Sequence, residues 1–178
     1  MRKLLNEELT RLTNDEFKKS DKTPLVIVLD NVRSLNNIGS VFRSADAYLI
    51  EKIYLCGITA QPPHKDIRKT ALGATETIEW QYVEDTLELV HNLNSEGYLT
   101  CAIEQAENSK SLHNFIPAKN QKVAIILGNE VKGVQQEVVN ACKETIELEQ
   151  YGTKHSLNIS VCAGIVMYDL FHKLYSSS

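Results

Sequence analysis

Val123-Ala124-Ile125-Ile126-Leu127, followed at once by Gly128-Asn129-Glu130-Val131-Lys132-Gly133, decides the fold class. Five consecutive apolar residues suit a strand buried on both faces, as in a parallel sheet covered by helices. The polar, glycine-bearing continuation places bare backbone and side chains at the carboxyl end of that strand, where α/β sheets bind their ligands. Working outward, Leu25-Val26-Ile27-Val28-Leu29 is a second such run, and Asn36-Asn37-Ile38-Gly39-Ser40-Val41-Phe42-Arg43 follows it. A third polar cluster, His155-Ser156-Leu157-Asn158-Ile159-Ser160, comes after a strand expected at 145–148. Three clusters at strand ends point to one composite site.

Strands and helices alternate between these points. Further strands are expected at 52–56, 77–82, 98–103 and 122–127, and helices at 38–49, 83–93, 134–142 and 159–174, with a helical turn at 66–72. This alternation predicts an α/β fold built on a parallel sheet covered on both faces. Leu4, Leu5, Leu9, Leu12 and Phe17 recur at helical spacing, so residues 1–24 read as an N-terminal helical extension ahead of one domain at 25–178. The tail Ser176-Ser177-Ser178 is expected to be disordered.

At 178 residues, 43% hydrophobic and 24% charged, the chain has the balance of a soluble domain with a real core. No run approaches a membrane span and the start lacks the apolar stretch of a signal peptide, so a cytoplasmic protein is expected. Cys56, Cys101, Cys142 and Cys162 form no Cys-x-x-Cys pair and the histidines no ligand pattern; reduced thiols and no metal are expected. The net charge of −4 is unevenly spread: 70–109 holds eight acids and no Lys or Arg, whereas six basic residues fall in the first 22 positions. Such a chain can still hold a polyanion on one side.

The clusters carry different chemistry. Gly128 and Gly133 have the spacing of a phosphate loop, but Val134-Gln135 stand where Lys and Ser or Thr would be needed, so a nucleoside triphosphatase is not expected. No G-x-G-x-x-G follows a strand, which disfavours a dinucleotide enzyme. Asn36 and Asn37 are helix-capping types, Gly39 would let a ligand approach the backbone, and free N–H groups at that helix start favour a phosphate. Arg43, one to two turns further on, suits a phosphate or carboxylate through its fixed donors, or else pairs with Asp46 on the surface. Ser156 or Asn158 would cap the last helix. Glu130 either faces solvent, ties two loops together, or accepts a bond from Arg43 or an incoming hydroxyl.

Taken in order, these residues resemble the TrmH/SpoU branch of the SPOUT superfamily, RNA ribose 2′-O-methyltransferases. Its first motif is matched by Asn37, Gly39 and Arg43, its second by Leu127, Gly128, Glu130 and Gly133, and its third by Ser156, Leu157, Asn158 and Ser160; Lys69 to Ala74 matches a further segment. The resemblance spans about Leu25 to Leu174 and implies a parallel-sheet fold with a C-terminal trefoil knot. It also implies S-adenosyl-L-methionine as cofactor, held near Ala102, Glu104, Leu127, Gly128, Ile146, Leu148 and Leu157, and a homodimer whose sites combine both subunits. Arg43, Asn37, Glu130, Ser156 and Asn158 are the expected catalytic group. RNA, either tRNA or rRNA, would be gripped by Arg33, Arg43, Lys65, Arg68 and Lys69, helped by Arg2, Lys3, Arg11, Lys18 and Lys19. The competing readings are a base methyltransferase of another SPOUT branch and a non-catalytic RNA-binding or assembly factor.

Overall fold

β1 (Thr23–Asp30) shows the two-sided burial that its apolar run predicts. Leu25, Ile27 and Leu29 enter one core, while Val26 and Val28 enter a second on the opposite face. The computed structural model describes residues 1–175, so the expectation for Ser176–Ser178 lies outside the described residues. β1 is flanked by β2 (Ile50–Cys56) and β6 (Val123–Leu127), both parallel to it, with Ile27 opposite Ile53 and Ile125. β3 (Glu79–Val83), β4 (Leu99–Ile103), β5 (Lys110–Ser111) and β7 (Glu144–Glu147) complete a seven-stranded sheet in the order β3-β2-β1-β6-β4-β7-β5. Every strand pair is parallel.

The first core is closed by α2 (Leu35–Ala47), α3 (Lys65–Ala71) and α7 (Ile159–Tyr175), through Ile38, Phe42, Ile67, Val166, Met167 and Leu170. The second is closed by α5 (Thr86–Ser95) and α6 (Gln136–Ala141), through Leu89, Val90, Leu93 and Val138. At roughly 1.5–3 kcal/mol for each large side chain removed from water, these two layers dominate stability. All four thiols are free and burial pushes each of them up, Cys56 and Cys142 to about 12. Cys56 and Cys101 are core residues; Cys142 and Cys162 are only partly buried.

The N-terminal segment differs from the expected single helix. Only a 3-10 turn at Asn6–Glu8 and α1 (Asn14–Lys19) form, leaving Leu4, Leu5 and Leu12 exposed while Phe17 is buried. Thr13 and Glu16 make a reciprocal capping box, which starts a helix at that point instead of letting one pass through. A second difference lies at α4 (Ala74–Thr77): β3 begins at Glu79, because Thr77 turns its hydroxyl onto Asp46 Oδ2 at 2.6 Å. Among the described residues no helix is long and apolar enough to cross a membrane.

Candidate active site

The carboxyl ends of β1, β6 and β7 lead into the three polar clusters, and the chain brings all three together. Ser34 caps α2, its hydroxyl accepting from the Asn37 N–H at 3.3 Å. The cap was expected at Asn36 or Asn37; with Ser34 in that role, the Asn37 amide is free to bond elsewhere. Its Nδ2 donates to Glu130 Oε1 at 3.1 Å, and its Oδ1 accepts from Asn158 Nδ2 at 3.1 Å. Asn158 Oδ1 in turn accepts the N–H and hydroxyl of Ser160 at 2.9 and 2.7 Å. Asn158 therefore caps α7, as its residue type predicts. Ser160, Asn158, Asn37 and Glu130 form one directed hydrogen-bond chain across residues far apart in sequence.

Glu130, though exposed, ties two loops together. Its Oε2 accepts the Arg33 N–H at 3.0 Å and its Oε1 the Ser34 N–H at 2.9 Å. The start of α2 thus holds an anion, but the anion is a carboxylate of the same chain, not a phosphate. Burial pushes the Glu130 carboxyl up, yet the N–H groups of Arg33 and Ser34, its own backbone N–H and the Asn37 amide outweigh it and hold the group below the usual carboxylate range. Glu130 accepts nothing from Arg43. Arg43 is exposed and makes no hydrogen bond or ion pair among the described residues; Asp46, its expected surface partner, is engaged by Thr77. Six helical residues separate Arg43 from Asn37, roughly 9 Å along the axis.

The loop after β6 is shaped by backbone crowding. Asn129 and Gly133 exchange both backbone bonds at 3.0 and 2.9 Å, and Gly133 takes φ +69°. A Cβ on Gly128 would collide with the Gly133 and Val134 backbone. Gly39 was expected to admit a ligand; α3 fills that space instead, and a Cβ there would meet Ile67 O and Thr70 Oγ1. Asn129 anchors the loop to β1, donating to Asn31 O at 2.8 Å and accepting from the N–H groups of Val131 and Lys132. Asn31 and Asn129 were missed in the sequence. Their signal was an asparagine just past each strand, a type that tolerates left-handed backbone and caps turns.

Beside this network lies an open cavity of about 1040 Å³ across the ends of β6, β4 and β7. Of the expected cofactor residues, Glu104, Leu127, Gly128, Leu148 and Leu157 line it. Ala102 and Ile146 do not: both are fully buried within the sheet, where their strands pair with their neighbours. Ser156, Asn158 and Glu130 also line the cavity, whereas Asn37 and Arg43 do not. Cys162, read from sequence as a core thiol, forms part of the wall; burial first, then the Glu104 carboxylate, pushes its thiol up to about 11. Gln105 ties the wall to the third cluster, its Nε2 donating to His155 O at 3.1 Å. Arg33, Lys65, Arg68 and Lys69 are exposed, the last three on α3, which packs against α2. Among the described residues no group of three His, Cys, Asp or Glu is placed to hold a metal.

Residues 24–168 match the model of the SpoU rRNA Methylase family. A protein of Staphylococcus saprophyticus named for the TrmH family of tRNA/rRNA methyltransferases is 28% identical over 156 residues, covering 88% of this chain and 61% of its own length. The chain thus spans about three fifths of that relative. Among solved structures, the SpoU methyltransferase AviRb of Streptomyces viridochromogenes, in complex with the cofactor AdoMet, superposes with a TM-score of 0.76 at 20% identity, over 89% of this chain and 64% of that one. An RNA 2′-O ribose methyltransferase superposes at 0.74 and 20% identity, over 86% of this chain and 58% of that one. At such identities the likeness is one of fold.

Proposed function

The chain belongs to the SpoU rRNA Methylase family, and from that premise we propose that it is a cytoplasmic enzyme that methylates a ribose 2′-hydroxyl of tRNA or rRNA, with S-adenosyl-L-methionine as cofactor. The observation that carries this reading is the hydrogen-bond chain from Ser160 through Asn158 and Asn37 to Glu130, which knits three separate motifs together beside one cavity. The cavity fits a nucleoside without phosphates. Leu127, Leu148 and Leu157 supply apolar wall, Gly128 and Gly133 bare backbone, and carboxylates outnumber the single Lys132. Glu104, Leu127, Gly128, Leu148 and Leu157 would hold the cofactor, which supplies an electrophilic methyl group when bound.

The remaining chemistry belongs to the chain itself. A methyl transfer requires the attacking oxygen to be aligned and its proton to be drawn off. Glu130, Asn37 and Asn158 fix the floor on which the ribose would rest, and Ser156 shapes its side. The guanidinium of Arg43 is a planar fork of donors with no acceptor, so it serves as a clamp on the phosphate next to the target ribose and polarises the hydroxyl. Its freedom from partners in its own chain supports a homodimer in which Arg43 serves the opposite cavity. α7 supplies a face for that second copy: Val161, Ile165, Tyr168 and Tyr175 recur at helical spacing and stay exposed, and Tyr48 at the end of α2 contacts Tyr168. The trefoil knot belongs to the same reading. β7 lies beyond β4, and α7 then returns to pack on α2 and β1, the path such a crossing needs.

The test is transfer of labelled methyl from S-adenosyl-L-methionine to unmodified total RNA, followed by digestion and identification of the nucleosides by mass. The wild type should yield a 2′-O-methyl nucleoside, and Arg43→Ala should lower its yield at least a hundredfold, about 3 kcal/mol of lost transition-state stabilisation. A methylated base in its place would refute ribose specificity. No transfer despite cofactor binding would favour a non-catalytic RNA-binding factor.

A further inference from the structure

Resting on that reading of the cavity, we propose that Glu104 is its charge-selective residue, favouring the cationic sulfonium form of the cofactor over the neutral thioether left after methyl transfer. Glu104 follows β4, the middle of the three strands whose ends the cavity crosses. Its carboxylate is fixed: Oε2 accepts the Val134 N–H at 3.1 Å and Oε1 the Gln105 N–H at 2.9 Å. Gly133 passes so close that a Cβ there would collide with Oε2, which keeps the side chain in place. Two backbone donors use only part of a carboxylate's acceptor capacity, leaving lone pairs for a ligand.

Glu104 differs from the other carboxylates on the wall in being both fixed and available. Glu130 is spent on the start of α2, and Glu107 is on an exposed loop. Glu147 makes no hydrogen bond or ion pair that would aim it. Among the described residues no Lys or Arg lies within ion-pair distance of Glu104, so its charge is not neutralised from within the chain. The effect of that charge on the Cys162 thiol places its field in the cavity itself. Methyl transfer removes the ligand's positive charge and therefore its attraction to this carboxylate, which speeds release of the thioether.

Isothermal titration of wild type and Glu104→Gln with S-adenosyl-L-methionine and with S-adenosyl-L-homocysteine tests this directly. The variant should bind the sulfonium roughly tenfold more weakly and the thioether within about twofold of wild type, as expected for one lost charge contact in a half-exposed site. Equal weakening of both ligands, or of neither, overturns the proposal and leaves Glu104 only a prop for the Gly133 turn. A wild type that binds neither ligand defeats the cofactor reading itself, a separate failure. Glu104→Asp keeps the charge but shortens the side chain; it should weaken both ligands while holding their ratio within about threefold of wild type. A roughly tenfold shift of that ratio from wild type in Glu104→Asp overturns the charge account, a result that needs no folded glutamine variant.

Discussion

Glu130 illustrates how a single side chain can tie separate segments into one site. Its carboxylate receives two backbone N–H groups and an amide, so the anion it supplies is structural and pH-dependent. Because its folded value lies below the ordinary 4.5, Glu130 adds stability that is complete above that value and is lost as pH falls through the lower folded value. Solvent screens this exposed carboxylate, so Glu130→Gln should cost only about 0.5 kcal/mol in urea unfolding near neutral pH, and the difference should shrink as pH falls below the ordinary 4.5. A difference independent of pH would contradict the charge-assisted role. The sequence made Glu130, Asn37 and Asn158 visible as polar residues just past buried runs. It could not show their mutual bonds, since those depend on side-chain directions between segments about a hundred positions apart. For the same reason it misjudged Gly39, whose open side faces α3 and not a ligand.

At the scale of elements, periodicity located what packing later used. The runs at Leu25 and Val123 became β1 and β6, with the expected two-sided burial. Boundaries moved where side chains competed with the backbone: Ser34 began α2 earlier than expected, Thr13 limited α1, and Thr77 delayed β3. The two-residue β5 has no periodicity to read and exists only through its pairing with β7. The α2–α3 contact gives the clearest element-level prediction. Gly39→Ala forces a methyl against Ile67 O and Thr70 Oγ1, and should cost about 1–3 kcal/mol by urea unfolding, with lost transfer activity as the start of α2 shifts. Wild-type stability in that variant would mean that the two helices are not in close contact.

For the whole molecule, the account turns on Arg43 and the cavity belonging to different subunits. Mixing Arg43→Ala with Gly128→Leu, which blocks the loop beneath the cavity, should restore about a quarter of wild-type activity through randomly exchanged dimers with one intact site. No recovery after verified exchange would place Arg43 and the cavity in the same subunit. Composition alone says little of partners: a net charge of −4 conceals an uneven spread of basic residues, and the exposed stripe on α7 shows only once the helix is packed. The order of three motifs carried the family resemblance, because chemistry at strand ends is local in sequence even when the site is not. The most direct measurement is partial alkaline hydrolysis of RNA incubated with the wild-type protein and S-adenosyl-L-methionine. Alkaline cleavage needs a free 2′-hydroxyl, so the account predicts one gap in the ladder, absent with Arg43→Ala. An unbroken ladder from RNA that has demonstrably gained a methyl group would place that methyl on a base and contradict the account.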